Sequence, residues 1–176
     1  DGWVSWPDWL GNGGTAHYIM LRFATARKKG HKLNLTSGRS GLILDAVIEE
    51  GNPADSERFM PLLERQIEIY GRAPRQIAAD GGYASKDNVQ QAKDKGVKDV
   101  AFHKKKGLKV EQMAKSDWVY RKLRNFRAGI EAGISCLKRS YGLSRCTWKG
   151  LEHFKSYVWS AVVAHNLAVF SRLLAR

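Results

Sequence analysis

Two acids in separate motifs carry the chemistry of this 176-residue chain. Asp80 opens Asp80-Gly81-Gly82-Tyr83, directly after the apolar run Ile77-Ala78-Ala79. Glu131 sits in a basic segment, with Arg127 four residues before it and Lys138 seven residues after it. At about 100° per residue, Arg124, Arg127, Glu131 and Lys138 share one face of a helix. Two carboxylates can hold a hard cation such as Mg²⁺, which keeps several waters and takes further ligands from phosphate oxygens. Two such ions about 4 Å apart activate the attacking oxygen of a phosphodiester and stabilise the leaving one. Arg127 and Lys138 would neutralise phosphate charge. A full two-metal site usually takes a third carboxylate. Each motif also has a plain structural reading. Asp80 suits a turn before a helix, and Arg127 with Glu131 suits an i,i+4 ion pair worth a few tenths of a kcal/mol.

Elements that can position these acids follow from periodicity. Ala16–Thr25 could form a strand. His31–Thr36 and Leu42–Ile48 read as a hairpin around Ser37-Gly38-Arg39-Ser40-Gly41. Asp55 or Ser56 can cap a helix to Tyr70, with Phe59, Leu62, Leu63, Ile67 and Ile69 on its apolar face. Gln76–Ala79 predicts a short strand ending at Asp80. A carboxylate there projects into the crevice where α/β folds place their sites. Gly81 and Gly82 allow a ligand to approach the backbone, and Tyr83 offers a hydroxyl and a stacking surface. Ser85–Lys95 predicts a helix, Val97–Phe102 a strand, and 103–115 a basic connection. Ser116 or Asp117 can cap a helix from Trp118 to Ser140, and a last helix spans Glu152–Leu174. Gly129 and Gly133 flank Glu131 at a cost of about 1 kcal/mol each against Ala, which suggests close approach by a backbone or a ligand. The order is that of an α/β domain with a mixed sheet flanked by helices.

Composition narrows the partner. The net charge is +13. From Ala101 to Gly150, 13 Lys and Arg residues face only Glu111, Asp117 and Glu131. So one-sided a run, with aromatics inside it, tracks a phosphate backbone. Lys104, Lys105, Lys106 and Lys109 could contact DNA, and Trp118, Tyr120 and Trp148 could stack on unpaired bases, although aromatics at helical spacing more often belong to a core. Cys136 and Cys146 form no Cys-x-x-Cys pair, so a zinc site is not indicated and two free thiols are expected. No basic start followed by an apolar run marks a signal peptide. The most apolar stretch, Tyr157 to Leu174, is interrupted by Ser160, His165 and Asn166, so it reads as a buried helix rather than a membrane span.

Residues 31–173 resemble the C-terminal part of DDE-type transposases from bacterial insertion sequences. Asp80, Gly82 and Tyr83 match the family's Asp-x-Gly-Tyr, which carries its second acid. Arg127, Glu131 and Lys138 match Tyr-x2-Arg-x3-Glu-x6-Lys, which carries its third; Arg124 stands where that motif has Tyr. Gly51-Asn52-Pro53-Ala54-Asp55 and His165-Asn166-Leu167 resemble the turn after the hairpin and the closing helix. The resemblance implies a ribonuclease-H-like fold and Mg²⁺-dependent nicking at element ends, with Mn²⁺ as an alternative ion. The freed 3′-hydroxyl then attacks target DNA. It also implies Asp80 and Glu131 as catalytic metal ligands, and Tyr83, Arg124, Arg127, Lys138, Lys104 and Lys105 as DNA contacts. DNA is the partner, a homo-oligomer bridging two ends is expected, and the expected place is the bacterial cytoplasm beside the nucleoid.

One departure cuts deeper than the rest. The family's first catalytic Asp lies on the first, central strand, and no Asp or Glu occurs from Trp9 to Leu44. Asp1 and Asp8 lie in a Trp/Gly-rich segment, residues 1–30, that is unlike the partial catalytic domain of residues 31–176, and Asp45 lies on the hairpin strand, its face not given by the sequence. The expectation is a truncated or frame-disrupted transposase, its first strand absent or replaced. The competing readings are a non-catalytic DNA-binding remnant and, ranked lower, an RNA-binding protein of the ribosomal type.

Overall fold

The central position of the sheet belongs to an acid-free strand. In the computed structural model, which describes residues 20–28, 31–51, 53–145 and 150–175, β1 (Met20–Lys28) pairs antiparallel with β2 (His31–Ser37). β2 pairs antiparallel with β3 (Ile43–Glu49). On its other edge β1 pairs parallel with β4 (Gln76–Ala79), which pairs parallel with β5 (Asp99–Phe102). The sheet order is β3-β2-β1-β4-β5. The strand expected over Ala16–Thr25 runs on to Lys28, and its residues before Met20 lie outside the described part. Of the two expectations for the first strand, absent or replaced, absence does not hold: the central position is filled, by MLRFATARK, which holds no carboxylate.

The rest follows the sequence pattern closely. Helix α1 (Asp55–Tyr70) buries Phe59, Leu62 and Leu63, and Gly71 ends it at φ 66° in the left-handed region that glycine tolerates best. Helix α2 (Lys86–Asp94) starts at Ser85, whose hydroxyl accepts from Asn88 N at 3.0 Å. The basic connection contains one helical turn, α3 (Val110–Met113). Helix α4 (Asp117–Ser140) is capped by Ser116, and α5 (Leu151–Leu174) closes the chain. No helix among the described residues is long and apolar enough to cross a membrane.

Burial divides along the sheet. Phe59, Ile77, Tyr83, Phe102, Met113 and Leu123 belong to one core, which brings α1, α2 and the first half of α4 against β4 and β5. Leu33, Leu35, Ile130, Leu137, Phe154 and Val158 belong to a second, which seats α5 and the second half of α4 on the hairpin. Along β2, Leu33 and Leu35 alternate with Lys32, Asn34 and Thr36, and all five are buried. The apolar set enters the second core, and the polar set lies on the opposite face, as strand alternation requires. Asp45, the acid on β3, is buried too. It accepts from Arg65 Nε at 2.6 Å and Gln66 Nε2 at 3.2 Å, so α1 consumes it as a structural anchor.

The His-Asn-Leu stretch of α5 has a definite task. Asn166 Oδ1 accepts from Ile43 N at 2.9 Å, and Asn166 Nδ2 donates to Ile43 O at 2.8 Å. The side-chain amide thus pairs with edge strand β3 as another strand would. Asn166→Ala leaves that backbone pair without its partner. The expected loss is about 1–3 kcal/mol of stability in denaturant unfolding, read as a lower midpoint at unchanged slope.

Candidate active site

Asp80 sits where β4 stops. Its backbone is extended, and Tyr83 N donates to Asp80 O at 3.1 Å to close a tight turn over Gly81–Tyr83. The spacing predicts that the two glycines make room for a ligand. The structure shows them making room for the protein itself. A Cβ on Gly81 would stand 2.7 Å from Lys104 Cβ and 3.1 Å from Lys104 N. A Cβ on Gly82 would stand 2.9 Å from Asp55 Cγ. Asp55 is held in turn by the buried Lys32, whose Nζ lies 2.6 Å from Asp55 Oδ1 and also donates to Pro53 O. The Pro-Ala-Asp turn before α1 therefore packs directly beneath the Asp80 turn; its neighbour Asn52 lies outside the described residues.

Tyr83 is corrected as a DNA contact. Its ring is fully buried beside Phe59, and its hydroxyl donates to Asn34 Oδ1 at 2.8 Å. A side chain with no exposed surface cannot stack on a base, so the motif's tyrosine locks the turn to β2 instead.

Glu131 reaches the same place from α4. Arg127, one turn earlier on that helix, donates through Nη2 to Glu131 Oε1 at 2.6 Å and through Nη1 to Asp80 Oδ1. Its side chain is 8% exposed, against 27% for Asp80 and 59% for Glu131. One guanidinium bridges both acids, Glu131 four residues away and Asp80 47 residues away in sequence. Burial pulls the Arg127 pKa down, but hydrogen bonds and charge from Glu131 and Asp80 outweigh it and raise the pKa above the usual arginine value. The i,i+4 pair read from the sequence is therefore present, and it is half of a larger triad.

Two carboxylates match Mg²⁺ in donor type. Their arrangement does not fit it. Both already accept from Arg127, and among the described residues no third His, Cys, Asp or Glu joins them to complete a metal-binding group. Asp1 and Asp8 lie outside the described residues.

The remaining cations differ in exposure. Arg124 is exposed on α4 and Lys138 is half-buried. Lys104 and Lys105 are exposed on the connection after β5, and Lys104 abuts Gly81, one residue from Asp80. Lys105 Nζ lies 5.2 Å from the centroid of the Tyr120 ring. That ring is core: Tyr120 is 4% exposed and its hydroxyl donates to Phe102 O at 2.9 Å. Trp118, by contrast, is 66% exposed under Lys122; Trp148 lies outside the described residues. Gly129 and Gly133 border a cleft of roughly 310 Å³ whose far wall includes His165 and Val169 of α5. Cys136, on the same wall as the glycines, carries a free thiol; Cys146 lies outside the described residues.

Lys32, Asn34 and Asp55 are the positioning residues that spacing alone does not reveal. One signal was available: Lys32 and Asn34 are polar positions in a strand whose other face is Leu33 and Leu35, next to a chain that must bury both faces.

The sequence model of the family described as "Transposase DDE domain" matches residues 22–167. The match begins inside β1, so it takes in strand residues that the motifs alone leave out. No curated protein matches the chain.

Gly82→Ala tests the packing of the turn. The added methyl collides with the Asp55 carboxylate, and the expected cost is about 1–3 kcal/mol in thermal or denaturant unfolding. Asp55→Ala is costly by itself because it strands the buried Lys32, but in that background Gly82→Ala should cost less than it does alone, because the clash partner is removed.

Proposed function

Because this chain belongs to the DDE transposase family, we propose that it serves transposition as a DNA-binding chain whose acid pair marks the seat of a phosphodiester without holding the family's metal. The sheet order β3-β2-β1-β4-β5, antiparallel through β1 and parallel beyond it, supports a ribonuclease-H-like fold. The observation that carries the proposal is the site's charge. Asp80 and Glu131 are both spoken for by Arg127, while Arg124, Lys104 and Lys105 stand exposed. Such cations attract a polyanion whatever its sequence, and counterion release then makes affinity fall steeply with salt.

The acid-free β1 supports a truncated or frame-disrupted origin. An intact Asp-bearing strand found out of frame upstream at the locus is the expected sequence result, and an uninterrupted frame there counts against it. DNA of insertion-sequence ends is the expected ligand. Self-association bridging two ends goes with that role.

One fact favours a second reading, metal-dependent nicking. Acids from two separate motifs do converge at the end of β4, as that chemistry needs. Duplex binding across a salt series, with nicking assayed on the same samples, separates the two. The expected result is salt-dependent binding, a salt slope reduced by about one for each phosphate contact removed in Lys104→Ala or Lys105→Ala, and no Mg²⁺- or Mn²⁺-dependent nicking above the Asp80→Ala or Glu131→Ala background. Nicking that either acid substitution abolishes establishes the second reading. Structured RNA bound far more tightly than duplex at matched salt overturns both.

A further inference from the structure

We infer that Arg127 is the internal counter-ion of the acid pair, occupying in this chain the electrostatic place of a divalent cation and keeping one out. The inference rests on the reading of Asp80 and Glu131 as the family's acids.

Three observations carry it. First, the guanidinium makes one contact to each acid, through separate nitrogens: Nη1 to Asp80 Oδ1 and Nη2 to Glu131 Oε1. A planar fork with fixed donor geometry can span two carboxylates in this way, whereas an ammonium is a point charge. Second, the fork has no competing engagement. Arg127 Nε is buried without a hydrogen-bond partner, so the guanidinium's hydrogen bonds run to the two acids. Third, the arginine is the buried member and the acids are the more exposed ones. A buried charge without a counter-charge is costly, so Arg127 requires the acids more than they require it. An incoming cation has to take both carboxylates from it and leave a guanidinium stranded in the protein.

Sequence supplies the reason this balance tips toward arginine. With no Asp or Glu from Trp9 to Leu44, β1 adds no third negative charge to the pair. One guanidinium between two carboxylates leaves a net charge of −1. A dication replacing it gains no third carboxylate from β1 as a ligand. The substitution that should open the site is therefore Arg127 itself, not a carboxylate.

The test is metal binding by the full chain, with Mn²⁺ followed by electron paramagnetic resonance and Mg²⁺ by titration calorimetry. The unsubstituted chain is compared with Arg127→Met and Arg127→Lys. The expected result is weak binding by the unsubstituted chain and binding about tenfold tighter in Arg127→Met, the factor set by an ion pair of ordinary strength. Arg127→Lys falls between them, because a single ammonium can satisfy one acid at a time. Asp80→Asn added to Arg127→Met returns the affinity to the weak value. Equal affinity in the unsubstituted chain and Arg127→Met overturns the inference, as does a gain that survives Asp80→Asn. Arg127→Lys retains the buried charge, so it decides the matter alone should Arg127→Met fail to fold: tighter binding than the unsubstituted chain supports the counter-ion, and equal binding overturns it. Duplex affinity measured on the unsubstituted chain reports separately on the DNA-binding proposal, which can fail while the metal result stands.

Discussion

A buried guanidinium has to find negative charge, and Arg127 finds it in Glu131, four residues on, and in Asp80, 47 residues back. That requirement ties the last residue of the β4 region to the middle of α4. It fixes the rotation of α4 about its own axis, because the face carrying Arg127 must meet Asp80. The opposite constraints then agree. Val119, Leu123 and Ile130 of the same helix are buried, so packing and charge select one orientation. An exposed ion pair of this kind contributes at most about 1 kcal/mol. With its arginine 8% exposed, the triad lies between that figure and the several kcal/mol lost when a fully buried pair is broken.

Beneath the triad lies a second polar layer. Lys32 holds Asp55, Asp55 presses on Gly82, and Tyr83 donates to Asn34. Asn34 and Lys32 lie on one face of β2, so a single strand supports the Asp80 turn from below. Lys32 has the Asp55 carboxylate as counter-charge and the Pro53 carbonyl as acceptor, which is what makes burial of a lysine at 2% exposure tolerable. The conspicuous motif residues Gly81, Gly82 and Tyr83 therefore shape the turn, and Asp80 alone of the four offers chemistry outward. Family membership and transposition are consistent with that economy: one acid per motif, presented by a rigid turn on one side and a rigid helix on the other.

Much of this was legible beforehand. The hairpin, α1, β4, α2 and α4 follow from apolar periodicity and from Ser85 and Ser116 as caps, with ends shifted by one or two residues. The pairing of Asp80 with Glu131 comes from their two motifs and the family resemblance; the element faces alone do not bring them together. Three things were not. Tyr83 looked like a stacking surface because a tyrosine after two glycines gives no sign of which side its ring takes; the long-range bond to Asn34 decides it. The glycines looked ligand-facing because spacing cannot distinguish a ligand from the chain's own Asp55 or Lys104. Arg127 looked like one half of an i,i+4 pair because the other half lies 47 residues away. In each case the missing information is tertiary, and local pattern holds none of it.

The central claim is that one arginine bridges both acids. Nitrogen-detected NMR of the arginine side chains tests it directly in the intact chain. Two resolved Nη environments for Arg127, with slow rotation about its Cζ–N bonds, are predicted, collapsing toward an averaged signal in Asp80→Asn. A single averaged Nη signal in the unsubstituted chain, unchanged by Asp80→Asn, would contradict it.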